Sequence, residues 1–194
     1  HTHEALRRLG HSRADVTDIL LTHAHFDHLG FAAKAQHEFG VRVWAHPGDH
    51  RIAAHPYRYE PGRPRLLYPL LHPGSIPVLA RMVGAGALRV PGVAAVEDIT
   101  AGPLPAGFEV IATPGHTDGH CVIHVPDVDV VLTGDALVTL DPYTGRTGPR
   151  IVAQAGTKDA PAAKRSLDLI ARTGAGLVLP GHGEPYTGGA EAAA

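Results

Sequence analysis

The amino-terminal part of the chain has two short apolar runs with a helical pattern between them. Residues 19–21 and 41–45 are almost entirely apolar, as expected for strands that are covered on both faces. Residues 29–39 have the composition of a helix, and Gly40 follows them at the place where glycine commonly ends helices. A strand, a helix and a second, parallel strand predict an α/β layer.

The later part of the chain predicts further strands and helices. Pro126 and Asp127 mark a tight turn between two apolar runs, which indicates antiparallel pairing. Tail residues 188–194 carry no periodic pattern, so we expect them to fray. The predicted helices are 4–9, 76–83 and 160–172, and the predicted strands are 108–112, 121–125, 130–132 and 177–179.

Segment 50–92 is strongly basic. It holds six arginines and one acid and so carries +5, which leaves −7 for the rest of a chain whose net charge is −2. A basic flap over a cleft would attract an anionic substrate. A solvated or oligomer-contacting surface is the alternative. The charged residues of the segment are Arg51, Arg58, Glu60, Arg63, Arg65, Arg81 and Arg89.

Composition narrows the class of protein. A chain of 194 residues has the length of one domain. Its near-neutral net charge predicts no nucleic-acid partner. Cys121 is the single cysteine, which excludes an internal disulfide and predicts a cytoplasmic protein with this residue buried. No run approaches the roughly 18 apolar residues of a membrane helix, and no basic-then-apolar leader is visible, so we expect no membrane association.

Three histidines and an aspartate follow the first apolar run within six residues: His23, His25, Asp27 and His28. In an extended segment His23 and His25 point the same way, and both can bind one metal ion. A turn into a helix can direct Asp27 and His28 toward a second ion. Imidazole nitrogen and carboxylate oxygen suit zinc, with manganese or iron also tolerated. A surface histidine cluster, or Asp27 as a helix N-cap, is the alternative.

Residues 23–28 resemble the HxHxDH motif of the metallo-β-lactamase superfamily. Members of that family carry three later ligands, and these correspond here to His116 in a Thr-Pro-Gly-His-Thr turn, Asp135 after Leu-Thr-Gly, and His182 in Leu-Pro-Gly-His-Gly. The resemblance spans residues 17–185. It implies an α/β (α+β) fold, the four-layer αββα sandwich, as a single domain over residues 1–194 with the basic flap inserted at about 50–92.

The resemblance also implies a dinuclear metal centre. His23, His25 and His116 would hold one divalent ion and Asp27, His28 and His182 the other, with Asp135 bridging. A hydroxide between the two ions would be the nucleophile, and Asp27 would act catalytically by passing a proton to the leaving group.

Other residues lie close to these positions in the sequence. His46 ends the run 41–45 and is interpreted as a turn residue rather than a ligand. Thr117, Asp118 and His120 follow His116, where partners that orient ligand imidazoles are common, so His120 is predicted to support the site. Tyr143 and Arg146, in the turn-rich segment after Asp135, are predicted substrate contacts.

Only about eighteen residues precede the first apolar run, whereas members of the family place several strands there. The resemblance therefore implies that the first strands are missing. An unpaired sheet edge and exposed apolar surface would then favour self-association into a homo-oligomer.

Three functions fit these observations. The leading one is a dinuclear metal-dependent hydrolase acting on a small ester, thioester or lactone, with an anionic small molecule as its partner. A phosphodiester or nucleic-acid hydrolase of the same fold is the second, because of the basic segment. The third is a truncated metal-binding domain without turnover.

Overall fold

The computed structural model describes residues 2–65, 68–102, 104 and 107–194. The helices are α1 (Thr2–Arg8), α2 (Phe26–Leu29), α3 (Ala32–Phe39), α4 (His50–Ala54), α5 (Tyr68–Leu71), α6 (Ile76–Gly84), α7 (Ala160–Ala171) and α8 (Ala190–Ala193). The strands are β1 (Asp18–Leu20), β2 (Arg42–Ala45), β3 (Glu97–Asp98), β4 (Glu109–Ala112), β5 (Cys121–Val125), β6 (Val130–Gly134), β7 (Val138–Leu140), β8 (Thr147–Arg150) and β9 (Leu177–Pro180).

The first sheet has the order β1-β2-β3 and is parallel, with Ile19 opposite Val43. This confirms the strand–helix–strand prediction for the amino-terminal part. The second sheet has the order β4-β5-β6-β9. Its first three strands form the predicted antiparallel meander, and β9 joins β6 in parallel.

Side chains of the first sheet alternate between two cores. One face packs against α2, α3 and α4, in a cluster that includes Leu21, Val43, Leu29, Ala32 and Ala53. The opposite face contributes Leu20, Trp44 and Ile99, which pack against Cys121 and Val110 of the second sheet. The first sheet therefore lies between a helical layer and the second sheet.

The far face of the second sheet carries the other helical layer. Val122, Val131 and Val178 are buried there against Ile170 of α7. The order helix, sheet, sheet, helix confirms the four-layer αββα prediction, because alternate residues of each strand supply the two faces that such a stack requires.

Two local expectations were wrong. The helix predicted over residues 29–39 is broken at Gly30, which has a φ of 44° and a ψ of −109°, into α2 and α3, although Gly40 ends α3 in the left-handed conformation as expected. Tail residues 188–194 are not frayed: residues 190–193 form α8, whose Ala190 and Ala193 are buried in the core with α7. Small alanine side chains allow this close packing but give no periodic signal in the sequence.

The turn-rich segment after Asp135 forms the antiparallel hairpin of β7 and β8. Buried Asp141 holds its loop: one carboxylate oxygen accepts from the Tyr143 N–H at 3.0 Å, and the other accepts from the Thr144 hydroxyl at 2.6 Å. This geometry places Tyr143 toward the interior. Across the described residues, every helix is too short or too polar to cross a membrane.

Candidate metal centre

The HxHxDH segment leads from β1 into α2. His25 has extended backbone angles, and α2 begins at Phe26, so Asp27 and His28 lie in its first turn. His23 and His25 are 1% and 4% exposed. The alternatives of a surface cluster and of Asp27 as an N-cap are therefore wrong, since the histidines are buried and Asp27 lies inside the helix.

The later candidate ligands follow strand ends at one edge of the second sheet. His116 follows β4, Asp135 directly follows β6, and His182 follows β9. The pairing pattern makes these three strands run in the same direction. Their carboxyl ends consequently bring three side chains together that are far apart in the sequence.

All seven predicted ligands converge. Three overlapping groups have ligand atoms within 4.8 Å of one another: His23, His25 and His116; His23, His28 and Asp135; and Asp27, His28 and His182. The first and third groups match the two metal sites that the resemblance implies. Asp135 lies between them, with Oδ2 at 3.5 Å from His116 Nε2 and 3.4 Å from His182 Nε2.

Several buried polar atoms of this cluster have no hydrogen-bond partner among the described residues: His23 Nε2, His28 Nε2, Asp135 Oδ1 and His182 Nε2. His28 Nε2 lies 3.3 Å from Asp135 Oδ1, but the two atoms are not aligned for a hydrogen bond. Orphaned buried polar atoms cost free energy unless another group satisfies them. Four such atoms directed into one space fit divalent metal ions.

A hydrogen bond fixes the tautomer and the ring orientation of His116. The Thr157 hydroxyl donates to the carbonyl oxygen of Val152 at 2.8 Å, so it can only accept from His116 Nδ1, which lies 3.2 Å away. His116 therefore carries its proton on Nδ1, and its Nε2 lone pair faces the cluster. Partners of this kind fix the ring orientation and the tautomer of metal-binding histidines.

Burial controls the protonation of the three-histidine group. It lowers the pKa of His25 and of His116 to about 3, and that of His23 well below its usual value. All three imidazoles are consequently neutral near pH 7, which is the form that binds a metal ion.

The opposite side of the cluster is dominated by carboxylates. Burial by itself lowers the pKa of His182, but Asp135 and Asp27 outweigh it and raise that pKa to about 10. The pKa of His28 is also raised, since the same two carboxylates overcome its burial. This negative field attracts positive charge, and a divalent cation would meet the same attraction.

Gly181 is required by the packing of the cluster. A Cβ at this position would lie 2.2 Å from Asp135 Oδ1 and 2.7 Å from His28 Cε1. No side chain fits there unless both candidate ligands move.

We expect Gly181→Ala to weaken metal binding by about 10- to 100-fold, the usual effect of disturbing groups that orient ligands. Competition with a chromophoric chelator measures this change. Gly84→Ala is the matched control, because a Cβ at Gly84 meets no atom within 4 Å. Equal affinities of the two variants would contradict the expectation.

His120 supports the cluster, as predicted. Its Nε2 accepts hydrogen bonds from the backbone N–H groups of Asp135 at 3.2 Å and Ala136 at 3.1 Å, and its Nδ1 lies 2.8 Å from the Thr113 hydroxyl. Both ring nitrogens are therefore occupied, and the bonds to Nε2 fix the backbone at Asp135. His46 is likewise a turn residue, since its Nδ1 accepts from the Gly48 N–H at 3.1 Å.

Asp49 is a residue of the candidate site that the sequence analysis missed. This buried carboxylate accepts hydrogen bonds from the Ala24 N–H at 2.9 Å, the Thr117 hydroxyl at 2.8 Å and the Gly119 N–H at 2.9 Å. It joins the loop between His23 and His25 to the loop of His116. The available signal was a carboxylate directly after the second strand, in the turn where only His46 was considered.

Tyr59, in the segment predicted as a basic flap, covers the cluster. Its ring lies 3.9 Å from that of His25, and Arg65 packs on it with its Cζ 4.3 Å from the ring centre. The Tyr59 hydroxyl is 3.5 Å from that of Tyr143. Burial raises the pKa of both tyrosines, and the Asp27 charge adds to this effect.

The structure separates the two predicted substrate contacts. Tyr143 is partly buried and lies beside Tyr59, near the candidate ligands. Arg146 is exposed in the β7–β8 loop, and its hydrogen bonds within the described part of the chain involve only its backbone. A substrate contact of Arg146 therefore stays a prediction.

The flap segment is held against the loop that carries Thr157. Backbone bonds run from the Gly62 N–H to the carbonyl oxygen of Thr157 and from the Arg63 N–H to that of Gln154, both at 3.0 Å. The path of this segment beside the candidate ligands is thus fixed by main-chain contacts. Residues 66 and 67 of the predicted flap lie outside the described residues.

Comparison with known proteins gives consistent results. The sequence model of the Metallo-beta-lactamase superfamily matches residues 1–182. The probable metallo-hydrolase YflN of Bacillus subtilis is 28% identical over 201 residues, which cover 95% of this chain and 70% of YflN. A metallo-beta-lactamase family protein of Thermus thermophilus, TTHA1429, superposes with a TM-score of 0.60 and 27% identity over 96% of this chain and 61% of that one. A di-iron-bound form of TTHA1623 gives a TM-score of 0.59 and 28% identity over 91% of this chain and 74% of that one.

Proposed function

Because the chain belongs to the metallo-β-lactamase superfamily, we propose that it is a metal-dependent hydrolase with a dinuclear centre, acting on a small ester, thioester or lactone. The observation that carries this proposal is the convergence of five imidazoles and two carboxylates. Four of their buried polar atoms have no hydrogen-bond partner among the described residues. A structural cluster would satisfy these atoms within the protein.

The donor set indicates which residues would hold the ions. His23, His25 and His116 would hold one, and Asp27, His28 and His182 the other, with Asp135 between them. When bound, two divalent ions ionise water near neutral pH and polarise a carbonyl group. Imidazole nitrogen and carboxylate oxygen suit zinc, with manganese or iron as alternatives, and the di-iron-bound form of TTHA1623 supports iron among these.

Asp27 is the candidate for proton transfer. Its side chain is 17% exposed, more than that of Asp135 at 4%, and its Oδ2 lies 3.2 Å from His182 Nε2. A carboxylate at this more open edge can pass a proton to a leaving group while it also contributes to the site.

Tyr143 and Tyr59 supply hydrogen-bond donors beside the ligands. Their raised pKa values keep both hydroxyls protonated at neutral pH. The Arg65 guanidinium donates to the Tyr59 hydroxyl at 2.6 Å, which orients that group. We infer that the hydroxyls of Tyr143 and Tyr59 bind an oxygen atom of the substrate, since preorganised donors stabilise developing negative charge.

A substrate panel tests the proposed function. We expect the zinc-loaded chain to hydrolyse at least one of an aryl thioester, an aryl ester and a lactone, with kcat/KM at least about tenfold above that for a bis-aryl phosphodiester. Chelation should abolish turnover, and added zinc should restore it.

Two results would replace the proposal. Turnover of the phosphodiester alone would assign the chain to phosphodiester hydrolysis, for which the basic segment 50–92 provides charge. Metal binding with no turnover of any substrate would leave a metal-binding domain.

A further inference from the structure

A cavity of about 110 Å³ opens beside the three-histidine group. Its lining includes His25 and His116 together with Arg51, Arg58 and Lys158. In liquid water one molecule occupies about 30 Å³, so this volume can receive a group of several heavy atoms. The cavity is therefore large enough for part of a substrate whose reacting bond lies at the metal ligands.

The charges around this cavity are unevenly paired. Lys158 Nζ lies 2.6 Å from Asp118 Oδ2 and 3.5 Å from Glu60 Oε2. These three residues neutralise one another in large part. Over the described ranges, Arg51 and Arg58 form no salt bridge, so two guanidinium groups remain available to an incoming anion.

Both arginines are attached to backbone that the metal site itself fixes. Arg51 lies in α4, two residues after Asp49, whose carboxylate binds both loops that carry the three-histidine group. Arg58 directly precedes Tyr59, whose ring packs on His25. The backbone positions of Arg51 and Arg58 are thus set by contacts of their neighbours with the candidate ligand loops, and the two exposed side chains extend from these positions to line the cavity.

We propose that this cavity binds a carboxylate of the substrate through Arg51 and Arg58, so that the preferred substrates are carboxylate-bearing esters, thioesters or lactones. The proposal rests on the proposed hydrolase function and specifies its substrate class. Guanidinium groups bind carboxylates in a bidentate geometry.

A carboxylate fits this lining better than a phosphate does. The five charged residues around the cavity, three basic and two acidic, sum to only +1. Glu60 and Asp118 would repel a dianion more strongly than a monoanion. The net positive charge of the cavity lining is therefore suited to a ligand group with a single negative charge.

Matched substrate pairs test the proposal in the zinc-loaded chain. One pair is the S-phenyl monothioester of glutaric acid and its neutral methyl ester. The other is S-acetyl-3-mercaptopropionate and its methyl ester, which place the charge on the leaving group. We expect the anionic member of at least one pair to have a kcat/KM about tenfold or more above the neutral member, mainly through KM.

The double variant Arg51→Gln/Arg58→Gln should lose this preference, so that its kcat/KM for the anionic members falls to within about twofold of its kcat/KM for the neutral members. Arg81→Gln is the matched control, because Arg81 lies in the same basic segment and does not line the cavity. It should retain the preference. Equal kcat/KM values of the wild type for the anionic and neutral members would overturn the proposal. An unchanged ratio of these values in the double variant would overturn it as well.

Calorimetry separates this proposal from the hydrolase function. Glutarate monoamide should bind the zinc-loaded wild type and Arg81→Gln at least about tenfold more tightly than it binds the double variant, whereas the neutral diamide should bind none of them. If no ester or thioester is hydrolysed but this difference is found, the hydrolase function fails and the anion site stands. Carboxylate binding that is equal in the double variant would overturn the site, and tighter arginine-dependent binding of inorganic phosphate would overturn the carboxylate class.

Discussion

Replacing Asp135 by alanine is expected to remove bound metal and hydrolytic activity together. Asp135 is 4% exposed and lies beside both candidate groups, at 3.3 Å from His28 Nε2 and 3.5 Å from His116 Nε2. Without it, the buried imidazoles on both sides lose the negative charge that would hold two cations near each other. We expect metal content below half of the wild-type value and a fall in kcat/KM of at least about a thousandfold, since ionisation of water depends on the metal.

Metal content by mass spectrometry and turnover of the best panel substrate measure this effect. Asp168→Ala is the control, because Asp168 is an exposed carboxylate on α7. It should change neither quantity. His116→Ala should lose bound metal and activity in the same way. Wild-type metal content and activity in Asp135→Ala would contradict the assignment of Asp135 as a metal ligand.

Asp49→Ala is expected to have the second-largest effect, on both stability and metal affinity. The substitution leaves the Ala24 N–H, the Gly119 N–H and the Thr117 hydroxyl without their acceptor. Each buried donor without a partner costs about 1–3 kcal/mol, so the free energy of unfolding should fall by about 3 kcal/mol or more. Metal affinity should fall by about 10- to 100-fold, since both ligand loops lose their common anchor.

Denaturant unfolding and zinc titration of the folded variant check these two effects separately. Asp49→Asn should be intermediate, because an amide keeps one acceptor oxygen but presents N–H groups to a donor on its other side. Asp168→Ala again serves as the control. A loss of stability with unchanged zinc affinity in both Asp49 variants would limit Asp49 to a structural role.

The sequence predicted the fold best where apolar periodicity is strong. The predicted strands 19–21 and 41–45 correspond to the parallel pair β1 and β2, and the predicted strands 121–125 and 130–132 correspond to the antiparallel pair β5 and β6. These runs supply two buried faces by simple alternation, so their pattern specifies their layer. The break at Gly30 and the packing of α8 depend on a single backbone conformation and on alanine contacts, neither of which leaves a periodic trace.

The candidate ligands also differ in how well the sequence alone predicts them. His23, His25, Asp27 and His28 are recognisable from their local spacing. His116, Asp135 and His182 each lie in a glycine-containing turn of a kind that is frequent in proteins. Only the resemblance to a family connected these three residues to the first motif. The structure then shows why they meet, since β4, β6 and β9 end at one edge of the second sheet.

Residues that act through long-range contacts could not be found in this way. Asp49 bonds to residues 25, 68 and 70 positions away in the chain. Tyr59 lies in an irregular basic segment, and only the folded chain brings its ring onto His25. Neither residue belongs to a local motif, so three-dimensional proximity is the only signal for its role.

An anomalous difference map of the zinc-loaded protein, recorded at the zinc absorption edge, tests the dinuclear centre most directly. Two peaks about 3.5–4 Å apart are expected, one among His23, His25 and His116 and the other among Asp27, His28 and His182, both adjacent to Asp135. Ligand distances should be about 2.0–2.2 Å. A fully loaded crystal that shows no peak among these seven side chains, or peaks only elsewhere on the protein, would contradict the metal centre and the hydrolase function that depends on it.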